Sequence, residues 1–249
     1  MDERIEQLAS NIRDASRTVA FTGAGVSTAS GIPDFRGKGG IWETHDPDAF
    51  NLFAFQRDPG VFWEAMVGIY DDAFPGDAEP NAAHQALATL ESVGHLEAII
   101  TQNADRLHQE AGSQDVIELH GTLKEVVCRS CSFKGSMDDA IGRARAGELP
   151  PTCPECEGVL KPDGILFGEQ LPEYALFRAH ALAEKSDIFI VAGSSLAVEP
   201  AASLPETAAK RGATLAIVNF DPTPHDDVAD FVFQEDVTTV LPLLAEALV

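Results

Sequence analysis

Three apolar runs stand out along the chain: Thr18-Val19-Ala20-Phe21-Thr22, Ala98-Ile99-Ile100-Thr101 and Ile188-Phe189-Ile190-Val191-Ala192. Short, rich in β-branched residues and without polar alternation, they read as strands buried on both faces. Further strands are predicted at 116–119, 214–218 and 230–233. Between them the spacing turns helical: over 2–16, with Ile5, Leu8 and Ile12 on the apolar face; in 59–70; over 81–93, with Ala83, Leu87 and Leu90; through most of 199–211; and over 237–249. Strands alternating with helices imply an α/β fold, a doubly wound parallel sheet.

Two stretches break this rhythm. Residues 38–80, rich in Phe, Trp, Pro and Asp, are helical in places and are expected to cap a site on the main sheet. Residues 123–162 carry Gly, Pro, charge and all four cysteines, and read as an insertion. The expected organisation is a large domain of residues 1–37, 81–122 and 163–249, with a small domain built from 38–80 and 123–162.

At 249 residues and 45% apolar composition, the chain can bury a large core. No apolar run reaches the length of a bilayer span, so neither a transmembrane helix nor a membrane partner is expected. The start, Met1-Asp2-Glu3-Arg4, lacks the basic region and apolar stretch of a secretion signal, and a cytoplasmic location is expected. Acids outnumber bases 40 to 17, for a formal charge of −23. Spread along the whole chain, this excess suggests a salt-rich cytoplasm, where the Debye length falls to about 3 Å at 1 M. It also argues against direct nucleic-acid binding, which needs Lys and Arg against the phosphates.

Ligands of an open parallel sheet bind beyond the carboxyl ends of its strands. Polar residues after the strong runs are therefore expected to converge. After the first comes GAGVSTASGIPDFRG, residues 23–37. Gly23-Ala24-Gly25 suggests a turn whose backbone N–H groups approach a phosphate. The usual dinucleotide fingerprint has a third glycine where Thr28 stands, so a tight strand-to-helix turn is an equal reading of these residues alone. Ser27, Ser30, Asp34, Phe35 and Arg36 add polar and aromatic groups, although Asp34 and Arg36 could simply pair at the surface. Asn103 and Asp105 follow the second run, where either could cap a helix. His120 follows the strand at 116–119; an imidazole titrates near neutrality, which makes it the best general-base candidate, with a core histidine as the alternative. His45, His84, His95, His108, His180 and His225 read as structural or exposed.

Cys128-x-x-Cys131 and Cys153-x-x-Cys156 are separated by 21 residues. Two such pairs can offer four thiolates to one tetrahedral zinc, and a closed site of that kind is structural. Disulfides are the weaker explanation in a cytoplasmic chain.

Together these segments resemble the sirtuin (Sir2) family of NAD-dependent protein-lysine deacylases. GAGVSTASGIPDFRG matches the family's cofactor loop, TQNAD at 101–105 its TQN-I-D, LHG at 119–121 its catalytic histidine motif, and the cysteine pairs its zinc ribbon. Lys161-Pro162, Phe167-Gly168-Glu169, Gly193-Ser194-Ser195 and Val218-Asn219 complete the series in family order. The resemblance implies a Rossmann-like NAD-binding domain, a smaller helical and zinc-ribbon domain, NAD and Zn2+ as cofactors, and an acyl-lysine protein as partner. It implies that Gly23, Ala24, Gly25, Ser27, Asp34, Phe35, Arg36, Gln102, Asn103 and Asp105 line the NAD site. Gly193, Ser194, Ser195, Asn219 and Val237 belong with the adenosine half. His120 and Asn103 are the catalytic pair, and Cys128, Cys131, Cys153 and Cys156 hold zinc. Ile165, Phe167 and Gly168, with Leu196 and Val198, flank an extended peptide that adds as a strand. The implied reaction moves the acyl group to ADP-ribose and releases nicotinamide, with His120 taking a ribose hydroxyl proton.

Two departures carry information. Ala104 stands where the family has Ile or Val beside the nicotinamide pocket, which implies weaker inhibition by nicotinamide. Met66 and Ile69 stand where succinyl-preferring relatives place Tyr and Arg, which implies an uncharged acyl group such as acetyl. Transfer of ADP-ribose to a protein is a second enzymatic reading of the same motifs. An NAD-sensing zinc-ribbon module without turnover is a third, against which His120 and Asn103 argue.

Overall fold

A computed structural model describes residues 2–74, 76 and 78–249. Met1 of the charged start, and positions 75 and 77 of the expected cap, lie outside the described residues.

The chain opens with α1 (Glu3–Asp14), where the Asp2 carboxylate accepts the Arg4 N–H and Ile5, Leu8, Ala9 and Ile12 form the buried face. β1 (Thr18–Thr22) follows, buried at every position. After the glycine loop come α2 (Leu52–Arg57) and α3 (Pro59–Ala73). α3 starts where Asp58 accepts two N–H groups and Pro59 presets the first helical φ. α4 (Ala82–Ser92), β2 (Ala98–Thr101), the single-turn α5 (Leu107–Glu110) and β3 (Val116–Glu118) lead into β4 (Gly121–Cys128), β5 (Lys134–Ser136), α6 (Met137–Arg145) and β6 (Leu160–Gly164). The α/β rhythm then resumes with α7 (Glu173–Lys185), β7 (Ile188–Ala192), α8 (Leu204–Lys210), β8 (Thr214–Val218), β9 (Phe231–Phe233) and α9 (Val237–Leu248).

Six strands form one parallel sheet in the order β3-β2-β1-β7-β8-β9. The chain leaves β1 in one direction to β2 and in the other to β7, so the topological switch point lies between β1 and β7, where a ligand crevice is expected. Alternate residues divide the core. Ala20, Ile99, Ile190 and Ala216 face α1, α4 and α9, whereas Val19, Phe21, Ile100, Phe189 and Ile217 face α7 and α8. Full burial of one such side chain contributes about 1.5–3 kcal/mol.

A third apolar cluster joins Ile41, Phe50, Phe62, Trp63, Met66 and Ile69 to Val126, Met137, Ile141 and Leu160. Residues 38–74 and 123–162 thus share one core, with a three-stranded antiparallel sheet β5-β4-β6 at its centre. No strands or helix were expected in this second segment, which read only as an insertion, yet it holds three strands and the nine-residue α6. Ser136 caps α6, acids fill its first turn and arginines its last, and Met137, Ala140, Ile141 and Ala144 line its buried face. Among the described residues, no helix is long and apolar enough to cross a membrane.

Candidate active site

The loops after β1 and β7 cross in close contact, and that contact requires the glycines. A Cβ on Gly23 or Gly25 would come within 2.8 Å of the Gly193 carbonyl oxygen. Gly193 itself adopts a left-handed φ of 61°, and a Cβ there would overlap the Val26 amide. Gly25 N–H donates to Gly193 O (2.8 Å) and Gly193 N–H to Val218 O (3.0 Å), lashing the ends of β1, β7 and β8 together. These glycines therefore serve loop packing at the switch point, which leaves the Ala24–Val26 turn at its rim.

Ser27 is buried behind that turn as a hydrogen-bond hub. Its hydroxyl donates to Asp105 Oδ2 (2.7 Å) and accepts from Asn103 Nδ2 (3.0 Å). His84 Nε2 lies 3.5 Å from the same oxygen. Asp105 spends its other carboxylate oxygen on the Leu107 N–H (2.9 Å), so it fixes the start of α5 as well as Ser27. Asn103, 7% exposed, is held by its side chain through Ser27 and by its N–H, which donates to Thr101 Oγ1 (3.0 Å). Ala104 O accepts from the Leu123 N–H (2.9 Å), pinning this loop to β4.

His120 stands at the carboxyl end of β3 with its Nδ1 2.9 Å from Gln102 O. A carbonyl only accepts, so Nδ1 carries the proton and Nε2 keeps a free lone pair. Burial lowers the His120 pKa, against the opposing pull of the Gln102 carbonyl. Gln102 is held in turn by Ser194, whose hydroxyl donates to its Oε1 (2.7 Å). Loops after β1, β2, β3 and β7 thus meet through Ser27, Gln102, Asn103, Asp105, His120 and Ser194.

The remaining expected residues are placed as follows. Asp34 accepts the Gly37 N–H (2.7 Å) and so closes its own loop. Phe35 packs on Trp42 (5.2 Å between ring centres), and Trp42 on Phe167 (5.9 Å), joining the loop after β1 to the 165–168 stretch. Arg36 and Ser195 are exposed and Ala24 half-buried. Asn219, after β8, donates from Nδ2 to Asp221 O (2.8 Å). Val237 opens α9 with its side chain in the first core cluster. Leu196 adopts φ 51° and turns its side chain into the second cluster, while Val198 stays half-buried. Phe167 donates its N–H to Phe50 O (3.1 Å) and accepts the Leu52 N–H (2.9 Å). Its main chain is thereby engaged and is not open to pair with an added strand.

That stretch is stapled from below. Lys161, 3% exposed, donates to Pro162 O (2.9 Å) and Gly164 O (2.7 Å) and pairs with Glu169 (3.0 Å), which accepts the Leu166 N–H (3.1 Å). Removing one partner of a buried pair strands the other. Lys161→Met is expected to cost about 3 kcal/mol in denaturant unfolding, and unchanged stability would contradict this reading.

A family model for the Sir2 family matches residues 23–200, which span every element of this crevice from the glycine loop to the turn after β7. The chain belongs to the Sir2 family. An NAD-dependent protein deacetylase of Haloarcula marismortui is 47% identical over 99% of this chain and 95% of its own length. One from Pyrobaculum aerophilum, NAD-dependent protein deacetylase 1, is 48% identical over the same shares. A solved Sir2 with a p53 peptide and NAD+ superposes with a TM-score of 0.88 at 40% identity, covering 97% of each chain. Another Sir2, bound to an acetylated peptide, gives 0.87 at 38% identity over the same shares.

The four cysteines form a second centre. Cys128 Sγ lies 3.5 Å from Cys156 Sγ and Cys131 Sγ 3.7 Å from Cys153 Sγ, and all four sulfurs fall within 4.8 Å of one another. A disulfide would need about 2 Å, whereas thiolates tetrahedral about zinc, each at about 2.3 Å, stand about 3.8 Å apart. The donor set fits a closed, structural zinc site.

Five participants were not anticipated from sequence. Thr22 and Thr101, the last residues of β1 and β2, join through their hydroxyls (2.8 Å), and His108 Nε2 lies 2.9 Å from Thr22 Oγ1. His84 and His108 meet edge to face, 4.8 Å between centres, and both are buried directly beneath the site. Burial lowers the His84 pKa to about 4, against the opposing charge of Asp105, and burial and His84 lower His108 to about 3. Asn81, which caps α4, donates from Nδ2 to Val26 O and Ser30 Oγ (both 2.9 Å) and holds the glycine turn. A hint was available: Asn81 and His84 have capping-box spacing, with histidine in place of the usual acid.

Proposed function

We propose that this chain is an NAD-dependent protein-lysine deacetylase that transfers the acyl group to ADP-ribose and releases nicotinamide. The observation that carries the reading is His120: its tautomer leaves Nε2 free, and Gln102 fixes it beside Asn103 on one loop. Relatives close to half identical across nearly the whole chain are named for this activity.

In this reading NAD is a substrate, supplying the ADP-ribosyl acceptor and a nicotinamide leaving group. Gly23, Ala24, Gly25, Ser27, Asp34, Phe35 and Arg36 receive it on one side, and Gly193, Ser194, Ser195, Asn219 and Val237 on the adenosine side. Gln102, Asn103 and Asp105 hold the ribose and nicotinamide end, where the Ser27 hub orients Asn103. The acyl oxygen displaces nicotinamide at the ribose carbon; His120 Nε2 takes the proton of a neighbouring ribose hydroxyl so that this oxygen bonds the acyl carbon as the lysine amine leaves; water then adds to the acyl carbon and frees the original acyl oxygen as a ribose hydroxyl. Gly168 and Ile165, with Val198 and the main chain at Leu196, pair the peptide as an added strand, while Phe167 packs on it. Main-chain pairing reads little side-chain sequence, so the target protein is chosen loosely. Cys128, Cys131, Cys153 and Cys156 hold zinc that folds the small domain and takes no part in the chemistry.

The division into a large domain (1–37, 81–122, 163–249) and a small one (38–80, 123–162) is supported by the separate third core cluster. Thiols gathered as metal ligands favour a reducing, cytoplasmic setting. The acid excess disfavours nucleic acid as a partner.

Weighing the products of an acetyl-lysine peptide incubated with and without NAD tests the proposal. Deacetylated peptide with acetylated ADP-ribose, only when NAD is present, is expected; ADP-ribose attached to protein would favour the transferase reading instead. Met66 and Ile69 are apolar and buried in the small-unit core, so a succinyl peptide is expected to turn over more slowly than an acetyl one. Equal rates would overturn that preference. Ala104→Ile adds three carbons at a half-buried position and is expected to lower the nicotinamide inhibition constant about fivefold, at up to 0.8 kcal/mol per buried CH2. Equal constants would contradict it.

A further inference from the structure

His108 is a buried polar residue that the chemistry above does not use. It is 1% exposed, and its Nδ1 meets no hydrogen-bond partner among the described residues. Among the described residues, the one hydrogen bond of its ring runs toward the catalytic loop. Thr22 Oγ1 donates to Thr101 Oγ1 (2.8 Å), so the partner at 2.9 Å on its other side, His108 Nε2, donates to it. Thr101 Oγ1 then accepts the Asn103 N–H (3.0 Å). The chain of contacts is His108 Nε2–H to Thr22, Thr22 to Thr101, and Thr101 to the Asn103 main chain. Each of these residues is buried, so no solvent competes for any link.

Asn103 is thereby held from two sides. Ser27 takes its side chain, with His84 donating to Ser27 because the Asn81 N–H occupies His84 Nδ1 (3.3 Å). The threonine pair takes its main chain. The two histidines touch edge to face under the loop. Depressed pKa values keep both neutral at neutral pH, so neither sends a second charge toward Asp105.

We infer that His108 is a positioning residue for the deacylation reaction, orienting Asn103 through the Thr22–Thr101 hydroxyl pair. The inference rests on the deacetylase reading. A buried aliphatic side chain would fill the space yet leave Thr22 without its donor. The loop would then keep its fold and its ligands but lose the fixed setting of Asn103, which affects turnover more than binding.

Three variants test it: His108→Leu, His108→Gln, whose Nε2 can reach Thr22, and the isosteric Thr22→Val. His108→Leu is expected to lower kcat about tenfold, or about 1.4 kcal/mol, with the peptide and NAD KM values and the ADP-ribose Kd within about twofold of the parent. His108→Gln is expected to recover most of the loss. Thr22→Val is expected to match His108→Leu, and the double variant to lose no more than either single one. Parental kcat in His108→Leu, equal losses in the Leu and Gln variants, or multiplying losses in the double variant would each overturn the inference. Should His108→Leu fail to fold, Thr22→Val decides: parental kcat there sinks the relay. A parent chain that consumes no NAD with an acetyl-lysine peptide defeats the underlying reading, and this is seen before any variant is made.

Discussion

His120→Ala is expected to lower kcat for deacetylation by about 10³-fold, the scale of losing a general base, while ADP-ribose binds as tightly as before. Among the described residues, the imidazole makes one hydrogen bond, Nδ1 to the Gln102 carbonyl, and it is half-buried, so truncation leaves the crevice standing. Calorimetric titration with ADP-ribose beside steady-state kinetics separates the two effects. Weakened binding with little change in kcat would assign His120 to ligand contact. The parent enzyme adds a pH signature. A histidine whose pKa is lowered by burial stays unprotonated further into acid, so the acid limb of kcat/KM should lie below the ordinary value of about 6.5. A limb at or above that value would contradict the desolvated setting of His120.

Stripping the zinc is expected to have the second largest effect. Structural zinc at a four-thiolate site contributes on the order of 10 kcal/mol of apparent binding free energy, and the segment it closes shares its core with residues 38–74. The sequence supplies a reporter. Trp42 and Trp63 are the two tryptophans of the chain, and both belong to the third cluster. Trp63 is fully buried and donates from Nε1 to Leu160 O (2.9 Å) on β6. Chelation or Cys128→Ser should shift tryptophan emission to the red and abolish deacetylation, with the large parallel sheet still giving its far-ultraviolet signal. Metal analysis should find one zinc per chain beforehand. Full activity after complete removal of the metal would show that the thiols hold the small sheet unaided.

Much of this was readable from residue patterns. β1, β2 and β7 are uninterrupted apolar runs, and a strand buried on both faces has no other way to be written. The cysteine spacing pointed to the thiolate cluster because a tetrahedral site needs two paired knuckles. α6 was legible in principle, with apolar residues at Met137, Ala140, Ile141 and Ala144, but the glycines and charges around it masked a short helix. The histidines under the site were not legible. Their partners lie 57 and 86 residues away, and only the parallel register of β1 and β2 brings Thr22 against Thr101. For the same reason, nothing local shows that Leu196 faces inward, that Phe167 has its main chain already paired, or that Gly23 and Gly25 are dictated by Gly193.

The acyl group is expected to leave lysine on ADP-ribose and not directly as acetate. Turnover of an acetyl-lysine peptide in water enriched in heavy oxygen, followed by mass spectrometry of the products at early times, tests it most directly. The acyl oxygen stays with the ribose carbon while water supplies its replacement, so acetylated ADP-ribose carrying one heavy oxygen in its acetyl group is expected. Heavy acetate formed at once, beside ADP-ribose that never bears an acetyl group, would contradict the account.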